Sequence, residues 1–231
     1  MKKIIPVCLL FLGACTANGL LSDLTGAEGT GVDNTPFFPA ERAYVFVTSQ
    51  TTRGDMQGLT AGGCSGGGLA QADCACTALA KSANLLRRRD SRFAAWLSTA
   101  TDYARCRILG QTGTAACNTG GENWYYTNNT LFSAGITTPL STSGGAPLPN
   151  GMNIMENGVL SSGNFAYTGT LSSNGGLATS GAVAVNHCNS WSANSTFSAE
   201  AGAIFGNTSS WTENGAQTCD QQLPVYCFAL P

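Results

Sequence analysis

Cysteine content constrains the fold of this 231-residue chain more than any other feature of its sequence. Two of the ten cysteines, Cys8 and Cys15, lie near the N-terminus, and the other eight lie between residues 64 and 227. An even number of cysteines in an exported domain is typical of a disulfide framework. Zinc binding is the alternative, but the chain has no Cys-x-x-Cys pair, and His187 is its only histidine. We therefore predict that the eight cysteines form disulfides and bind no metal.

The first fifteen residues carry the features of a secretory signal. Lys2 and Lys3 give a charged start, and an apolar run over residues 4–11 follows. That run is far shorter than the roughly 20 residues with which a helix crosses a bilayer, so we expect cleavage rather than a membrane span. Export to an oxidising compartment agrees with the prediction of disulfides.

The end of this segment, Leu12-Gly13-Ala14-Cys15, resembles the lipobox of bacterial lipoproteins. The resemblance implies cleavage before Cys15 and acylation of that cysteine, for example with palmitate, so that lipid anchors the protein in the outer membrane at the cell surface. An ordinary signal peptide that happens to be followed by a cysteine is the alternative. The predicted organisation is a signal peptide over 1–14, lipidated Cys15 and a flexible tether over 15–40, and one domain over 41–231.

The domain sequence is typical of an α+β fold that is rich in loops. Aromatic and β-branched residues predict a strand over 44–48, and glycines predict a loop over 54–68. Apolar residues at three- and four-residue steps predict a helix over 69–86. The segment Phe93-Ala94-Ala95-Trp96-Leu97 suggests a second, short helix. Later in the chain, short runs such as 123–126, separated by Gly, Ser, Asn and Pro, predict short strands and long loops.

Positive charge is concentrated in one part of the sequence. The eleven Lys and Arg residues, less Lys2 and Lys3, leave nine, and all nine lie between Arg42 and Arg107. Six arginines among them are predicted to gather on one face that binds a sulfated glycan, a phosphate or an acidic protein: Arg87, Arg88, Arg89, Arg92, Arg105 and Arg107. The alternative is a solvated helix end whose charge is balanced by nearby aspartates. No nucleic-acid partner is predicted.

The C-terminal segment resembles the end of C-type lectin-like domains. Trp211 precedes two cysteines, Cys219 and Cys227, near the end of the chain. In that fold the last cysteine lies on the final strand and pairs with the first long helix, and the penultimate one pairs with a cysteine upstream. Calcium-dependent sugar binding is not implied, because residues 147–150 and 211–214 depart from the calcium-binding tripeptides of that family.

Earlier segments narrow the resemblance to endostatin, a member of the same superfold. Residues 45–49 and 54–59 resemble its strand and the Gly-Met-x-Gly turn that follows, and residues 72–76 resemble its Ala-Asp-x-x-Cys helix start. Residues 93–98 resemble its Phe-x-x-Phe-Leu-Ser helix, and residues 188–191 resemble its Cys-x-x-Trp sequence. Together with the lipobox, these segments are most similar to the endostatin-like outer-surface lipoproteins of spirochaetes.

This resemblance implies two disulfide bonds: Cys76–Cys227 and Cys188–Cys219. We infer two local bridges among the four cysteines left over, whose pairing the resemblance does not fix: Cys64–Cys74 and Cys106–Cys117. Closing a loop of about 150 residues should stabilise the fold by about 4 to 5 kcal/mol in the chain-entropy model, more than a short bridge does.

The sequence predicts that the protein is not an enzyme and needs no cofactor. Acid–base and nucleophilic catalysis most often use a histidine, and no catalytic motif surrounds His187. Motifs for metalloproteases and for phosphate-binding loops are absent from the sequence. The resemblance implies a surface adhesin or binding module for host proteins such as laminin, fibronectin, factor H or plasminogen. The alternative is a structural lipoprotein of the cell envelope that binds no host ligand.

Overall fold

The structure is a computed structural model that describes residues 42–87, 91–114, 117, 123–134, 151–170, 187–195, 197–206 and 210–231. Residues Phe38–Pro231 form one compact unit. The predicted signal peptide, Cys15 and the predicted tether lie outside the described residues. Within the ranges given above, no helix is both long enough and apolar enough to cross a membrane.

The described residues form an α+β domain with two sheets, which confirms the α+β class predicted from the sequence. The helices are α1 (Gly68–Ser82) and α2 (Ala104–Ile108), and a 3-10 turn covers Ala61–Gly63. The strands are β1 (Ala43–Val47), β2 (Phe93–Ala95), β3 (Asn123–Tyr126), β4 (Leu131–Ala134), β5 (Phe165–Tyr167), β6 (Ser198–Ala203), β7 (Ala216–Thr218) and β8 (Tyr226–Ala229). The larger sheet has the order β2-β8-β1-β3-β4, and the smaller sheet has the order β5-β6-β7.

Strand β1 lies in the middle of the larger sheet, and the predicted strand over 44–48 is therefore confirmed with a shift of one residue. It pairs antiparallel with β8 and parallel with β3. All five of its residues are buried, because the strand has neighbours on both edges and packed layers on both faces. This explains why its sequence is continuously apolar rather than alternating.

An aromatic cluster fills the core beside β8, with the ring of Phe228 near its centre. The Phe228 ring centroid lies 5.3 Å from that of Trp96, 5.8 Å from that of Trp124 and 5.7 Å from that of Phe132. Trp211 joins the cluster at 5.1 Å from Trp96. Rings at these separations contribute both buried apolar area and favourable edge contacts, so the cluster supplies much of the stability of the domain.

Helix α1 begins one residue before the predicted start and ends four residues before the predicted end. Its end is a Schellman motif: the Leu85 N–H donates to the Ala80 carbonyl at 2.9 Å, and the Asn84 N–H donates to the Lys81 carbonyl at 3.2 Å. Asn84 adopts a left-handed backbone conformation with φ 56°, which asparagine tolerates better than most residues. This asparagine stops the helix although the apolar spacing continues beyond it.

The prediction of a short helix over 93–97 is wrong, because this segment contains strand β2. Phe93 is paired with Ala229 and Ala95 with Cys227, and the Trp96 N–H donates to the Tyr226 carbonyl at 2.8 Å. All five residues of the segment are buried, so its spacing of large side chains reflects contacts on two faces and not one helical face. Pairing with a distant strand overrides the local pattern.

The structure confirms the predicted disulfides. It contains four disulfide bonds, and they join the four cysteine pairs that were named from the sequence. These are Cys64–Cys74, Cys76–Cys227, Cys106–Cys117 and Cys188–Cys219, with Cα–Cα distances between 5.3 and 5.8 Å. The Cys76–Cys227 bond joins α1 to the last strand across 151 residues of sequence, whereas Cys64–Cys74 spans only 10. The long bridge therefore ties the start of the fold to its end.

Residues 188–191 form a left-handed helical turn. All four have positive φ angles, between 50° and 61°, which costs roughly 1–2 kcal/mol for each residue that has a Cβ atom. The Cys188–Cys219 bond holds one end of this turn, and the buried Trp191 Nε1 donates to the Ser98 carbonyl at 2.9 Å at the other end. Tertiary contacts thus compensate for an unfavourable backbone.

This turn gives a direct prediction for glycine substitutions. Ser190→Gly should raise the free energy of unfolding by about 1 kcal/mol, because Ser190 is exposed at φ 58° and glycine relieves the steric cost there. Ser192→Gly is the matched control, because Ser192 is also exposed but has φ −116°. That change should lower stability. Urea unfolding of both variants provides the measurement, and equal effects would show that the turn carries no backbone strain.

Candidate functional site

The structure separates the arginines that the sequence placed on one face. Arg87 and Arg92 lie at the end of the larger sheet where β8 finishes. Arg87 Nη2 donates to the Leu230 carbonyl at 3.3 Å, and the Leu230 N–H donates to the Arg92 carbonyl at 2.9 Å. Arg105 and Arg107 lie on α2, beyond the other end of β2. Arg88 and Arg89 lie outside the described residues. The described arginines therefore form no single cluster.

Arg107 is held by the fold itself. Its Nη2 donates to both carboxylate oxygens of Asp73, at 2.7 and 2.6 Å, and its Nη1 donates to the carbonyls of Ala95 and Leu97, at 2.8 and 3.0 Å. The side chain is only 10% exposed. Asp73 Oδ1 also accepts a hydrogen bond from the Ala95 N–H at 2.8 Å. The pair thus joins α1, β2 and α2, which leaves little of Arg107 for a ligand.

Replacing Arg107 should therefore affect stability rather than binding. We expect Arg107→Gln to lower the free energy of unfolding by about 2–3 kcal/mol, because two carbonyls and a carboxylate lose their donor. Arg92→Gln is the control, because it removes the same charge from an exposed side chain and should change stability by less than about 0.5 kcal/mol. Urea unfolding compares the two. Equal losses of stability in the two variants would contradict the structural role of Arg107. Retention on heparin, a sulfated glycan, that is lost in Arg107→Gln and kept in Arg92→Gln would also contradict it.

His187 caps the left-handed turn. Its Nδ1 accepts a hydrogen bond from the Ser190 N–H at 2.9 Å, and the residue is only 5% exposed. Burial lowers the pKa of the imidazole, so the neutral ring that can accept this bond is favoured. The nitrogen that a general base would use is therefore occupied by the backbone.

Three buried carboxylates are likewise bound to nearby groups of the fold. Glu156 accepts hydrogen bonds from the backbone N–H and the hydroxyl of Ser49. Glu200 accepts from the Gly215 N–H at 2.6 Å, and burial raises the pKa of its carboxyl group, an effect that this hydrogen bond partly offsets. Asp55 accepts from the Asn194 side-chain amide at 2.8 Å. Each carboxylate fixes a loop, which is a structural role.

The segment 211–214, which carries part of the lectin-like resemblance, is anchored in the core at its start. Trp211 and Thr212 are buried, and the Thr212 carbonyl accepts a hydrogen bond from Thr168 Oγ1 at 2.6 Å. Residues 147–150 lie outside the described residues. Within the part of the chain that the structure describes, no group of three or more His, Cys, Asp or Glu side chains is placed to hold a metal ion.

Comparison of the chain with models of known protein families and with curated proteins found no match. The resemblance to endostatin therefore rests on the short segments quoted from the sequence. The structure adds an independent observation at a coarser level, namely an α+β domain with four disulfides in which the first long helix is bonded to the last strand.

Proposed function

We propose that this protein is a lipid-anchored, non-enzymatic binding module on the surface of a bacterial cell. In this proposal, acylated Cys15 holds the chain on the outer membrane, and an endostatin-like domain of the C-type lectin-like class is presented to host matrix or plasma proteins. Laminin, fibronectin, factor H and plasminogen are the candidate ligands.

The observation that carries this proposal is the arrangement of the two longer disulfides. Cys76, on the first long helix, is bonded to Cys227 on the last strand, and Cys188 is bonded to Cys219 between them in sequence. This nested pattern is the one that the lectin-like resemblance implies. A scaffold that is cross-linked in this way keeps its loops in place outside the cell, where folded proteins meet proteases and oxidants.

The surroundings of the polar residues support a binding role over catalysis. His187 and the carboxylates of Glu156 and Glu200 each accept a hydrogen bond from a backbone N–H group. A general base needs a free lone pair that faces a substrate. These three side chains instead use their acceptor atoms to hold the fold.

Exposed apolar side chains mark a candidate contact surface for a protein partner. Val159 and Leu160, on the hairpin over 151–164, are 56% and 61% exposed, and Phe205 is 55% exposed. Gly151, at the start of this hairpin, packs against the backbone of Phe205, so the two segments are neighbours. A patch of exposed apolar side chains on a folded domain is a common mark of a protein interaction site.

Binding of the mature chain to immobilised laminin, fibronectin, plasminogen and factor H tests the proposal. We expect saturable binding to at least one of them, weakened about tenfold or more in a Leu160→Asp/Phe205→Asp double variant. Leu131→Asp is the control, because Leu131 is 43% exposed but lies on β4, the edge strand of the larger sheet. Absence of binding to all four proteins would favour the structural envelope lipoprotein instead.

A further inference from the structure

The imidazole of His187 is one of the contacts that hold the left-handed turn over 188–191. Its Nδ1 atom accepts the Ser190 backbone N–H at 2.9 Å, and the His187 carbonyl accepts the Trp191 N–H at 2.8 Å. All four residues of the turn have positive φ angles, a conformation that is unfavourable for residues with a Cβ atom. The turn therefore persists because contacts such as these compensate for its backbone.

The hydrogen bond between His187 and Ser190 forms in only one protonation state of the ring. A neutral imidazole has a lone pair on one nitrogen and can accept, whereas the imidazolium ion is a donor at both nitrogens. Protonation would therefore bring two N–H donors face to face at Nδ1. The ordinary pKa of histidine, about 6.5, is crossed by a change from neutral to mildly acidic surroundings. Mild acid thus removes this contact from the turn.

The surroundings of His187 favour the uncharged ring while the turn is closed. The residue is buried, and it forms a β-bridge with Ala199 on β6. A Cβ atom added at Gly169, just after β5, would lie 3.2 Å from the His187 Cβ, so that segment packs closely against it. Burial lowers the pKa of the imidazole, and a hydrogen bond with the backbone of His187 itself offsets part of this effect. Opening the turn would expose the ring to water and restore its ordinary pKa.

The other titratable groups around the turn are held by the fold. The segments that pack against His187 and the turn include the loop after β1 at Gly54, the start of α1 at Gly68, the segment after β2 at Ser98 and strand β6 at Ala199. The carboxylates on these segments each accept a hydrogen bond from another group: Asp55 from Asn194, Asp73 from Arg107, Asp102 from the Gly113 N–H and Glu200 from the Gly215 N–H.

The remaining groups near the turn do not change charge in mild acid. Arg53, beside Gly54, is an exposed cation. The ring of Tyr167 contacts that of Trp191, with the centroids 5.8 Å apart, and burial raises the pKa of the Tyr167 hydroxyl, so this group stays neutral. Residues 171–186, which lie outside the described residues, contain no titratable side chain.

Glu200 is the neighbour whose titration must be separated from that of His187. Burial raises the pKa of its carboxyl group, so Glu200 takes up a proton more readily in the folded domain than in the unfolded chain. Its titration therefore favours the folded state as the pH falls. The lowered pKa of His187 has the opposite effect, because stability that is present above about pH 6.5 is lost as the pH falls toward the pKa of the closed form.

We propose that protonation of His187 in mild acid opens the left-handed turn and releases the segment 187–195 from the loop beside it. In the closed form, Cys188 packs against Gly54 of that loop. Cys188 stays bonded to Cys219, so opening is local and reverses when the pH rises. This acid switch goes beyond the proposed function, because it requires neither the lipid anchor nor a host ligand.

Hydrogen exchange of the Ser190 and Trp191 backbone amides in the purified protein tests the acid switch. After correction for the intrinsic pH dependence of exchange, their protection should fall by up to about tenfold between about pH 7.5 and 5.5, because the open form binds one more proton than the closed form. The Leu85 amide, which donates to the Ala80 carbonyl, should keep its protection. NMR titration of His187, the only histidine of the chain, should give a pKa below about 6.5.

His187→Asn is the matched variant, because the side-chain oxygen of asparagine can accept the Ser190 N–H but does not titrate. Its Trp191 amide should be equally protected at both pH values. Glu200→Gln and Asp55→Asn each remove a neighbouring carboxylate but keep an acceptor, and both should show the wild-type response.

Protection that does not change with pH in the wild type, or an imidazole pKa of about 6.5 or more, would overturn the proposal. The wild-type pH response in His187→Asn would overturn it too. Loss of the response in Glu200→Gln or in Asp55→Asn would assign the switch to that carboxylate instead of His187. The two wild-type measurements decide the question even if His187→Asn fails to fold.

Discussion

A double variant with Cys76→Ala and Cys227→Ala is expected to lose about 5 kcal/mol of folding stability, enough to unfold most natural domains or leave them marginal. This bridge closes a loop of 151 residues, the longest of the four loops that the disulfides close. Removing it therefore increases the conformational entropy of the unfolded chain more than removing any of the other three bridges does. Both cysteines are fully buried, so the truncated side chains also leave unfilled space. Urea unfolding under non-reducing conditions measures the loss.

The matched control is the double variant Cys64→Ala/Cys74→Ala. It opens a loop of 10 residues and should cost about 3 kcal/mol in the same model. Equal costs for the two double variants would show that the long bridge does not constrain the unfolded chain as we describe. Peptide mapping of the wild type under non-reducing conditions establishes that both bridges are present before the comparison is made.

Gly202→Ala is expected to be the most damaging single substitution, with a loss of about 4 kcal/mol or more. A Cβ atom at this position of β6 would lie 1.6 Å from the carbonyl oxygen of Trp211 and 2.9 Å from the Thr212 nitrogen. These are backbone atoms, and Trp211 is itself fixed in the aromatic cluster. Relief therefore requires β6 or the 211–214 segment to move. The melting temperature and near-ultraviolet circular dichroism report the effect.

Gly163→Ala serves as the control for this substitution. An added Cβ atom there would first meet the Cδ1 atom of Ile204, at 3.1 Å, which is the end of a flexible side chain. We expect a change of less than about 1 kcal/mol. A Gly202→Ala protein as stable as Gly163→Ala would show that the backbones of β6 and Trp211 do not approach each other as the structure describes.

Local sequence patterns were sufficient for the elements whose structure depends on local interactions. The continuous apolar run of β1 and the three- and four-residue spacing of α1 predicted both elements, and Asn84 explains the earlier end of the helix. The segment 93–97 failed because its pairing partner, β8, lies more than 120 residues away in sequence. Such a contact leaves no trace in a window of five residues.

The predicted arginine site also depended on contacts between distant parts of the chain, which local sequence does not reveal. The sequence identified a region rich in arginines but grouped Arg107 with Arg92, although the first is bound to Asp73 and the second is exposed. Only the pairing of β2 with β8 and the packing of α1 separate these two residues.

Protease accessibility on intact bacterial cells tests the central claim most directly, because an anchored surface module must be reachable from outside. We predict that protease added to intact cells cuts the segment between Cys15 and Arg42 and releases the disulfide-linked domain, while a periplasmic protein in the same cells stays whole. A domain that remains cell-bound until the envelope is opened would contradict the account and place the protein among the structural components of the envelope.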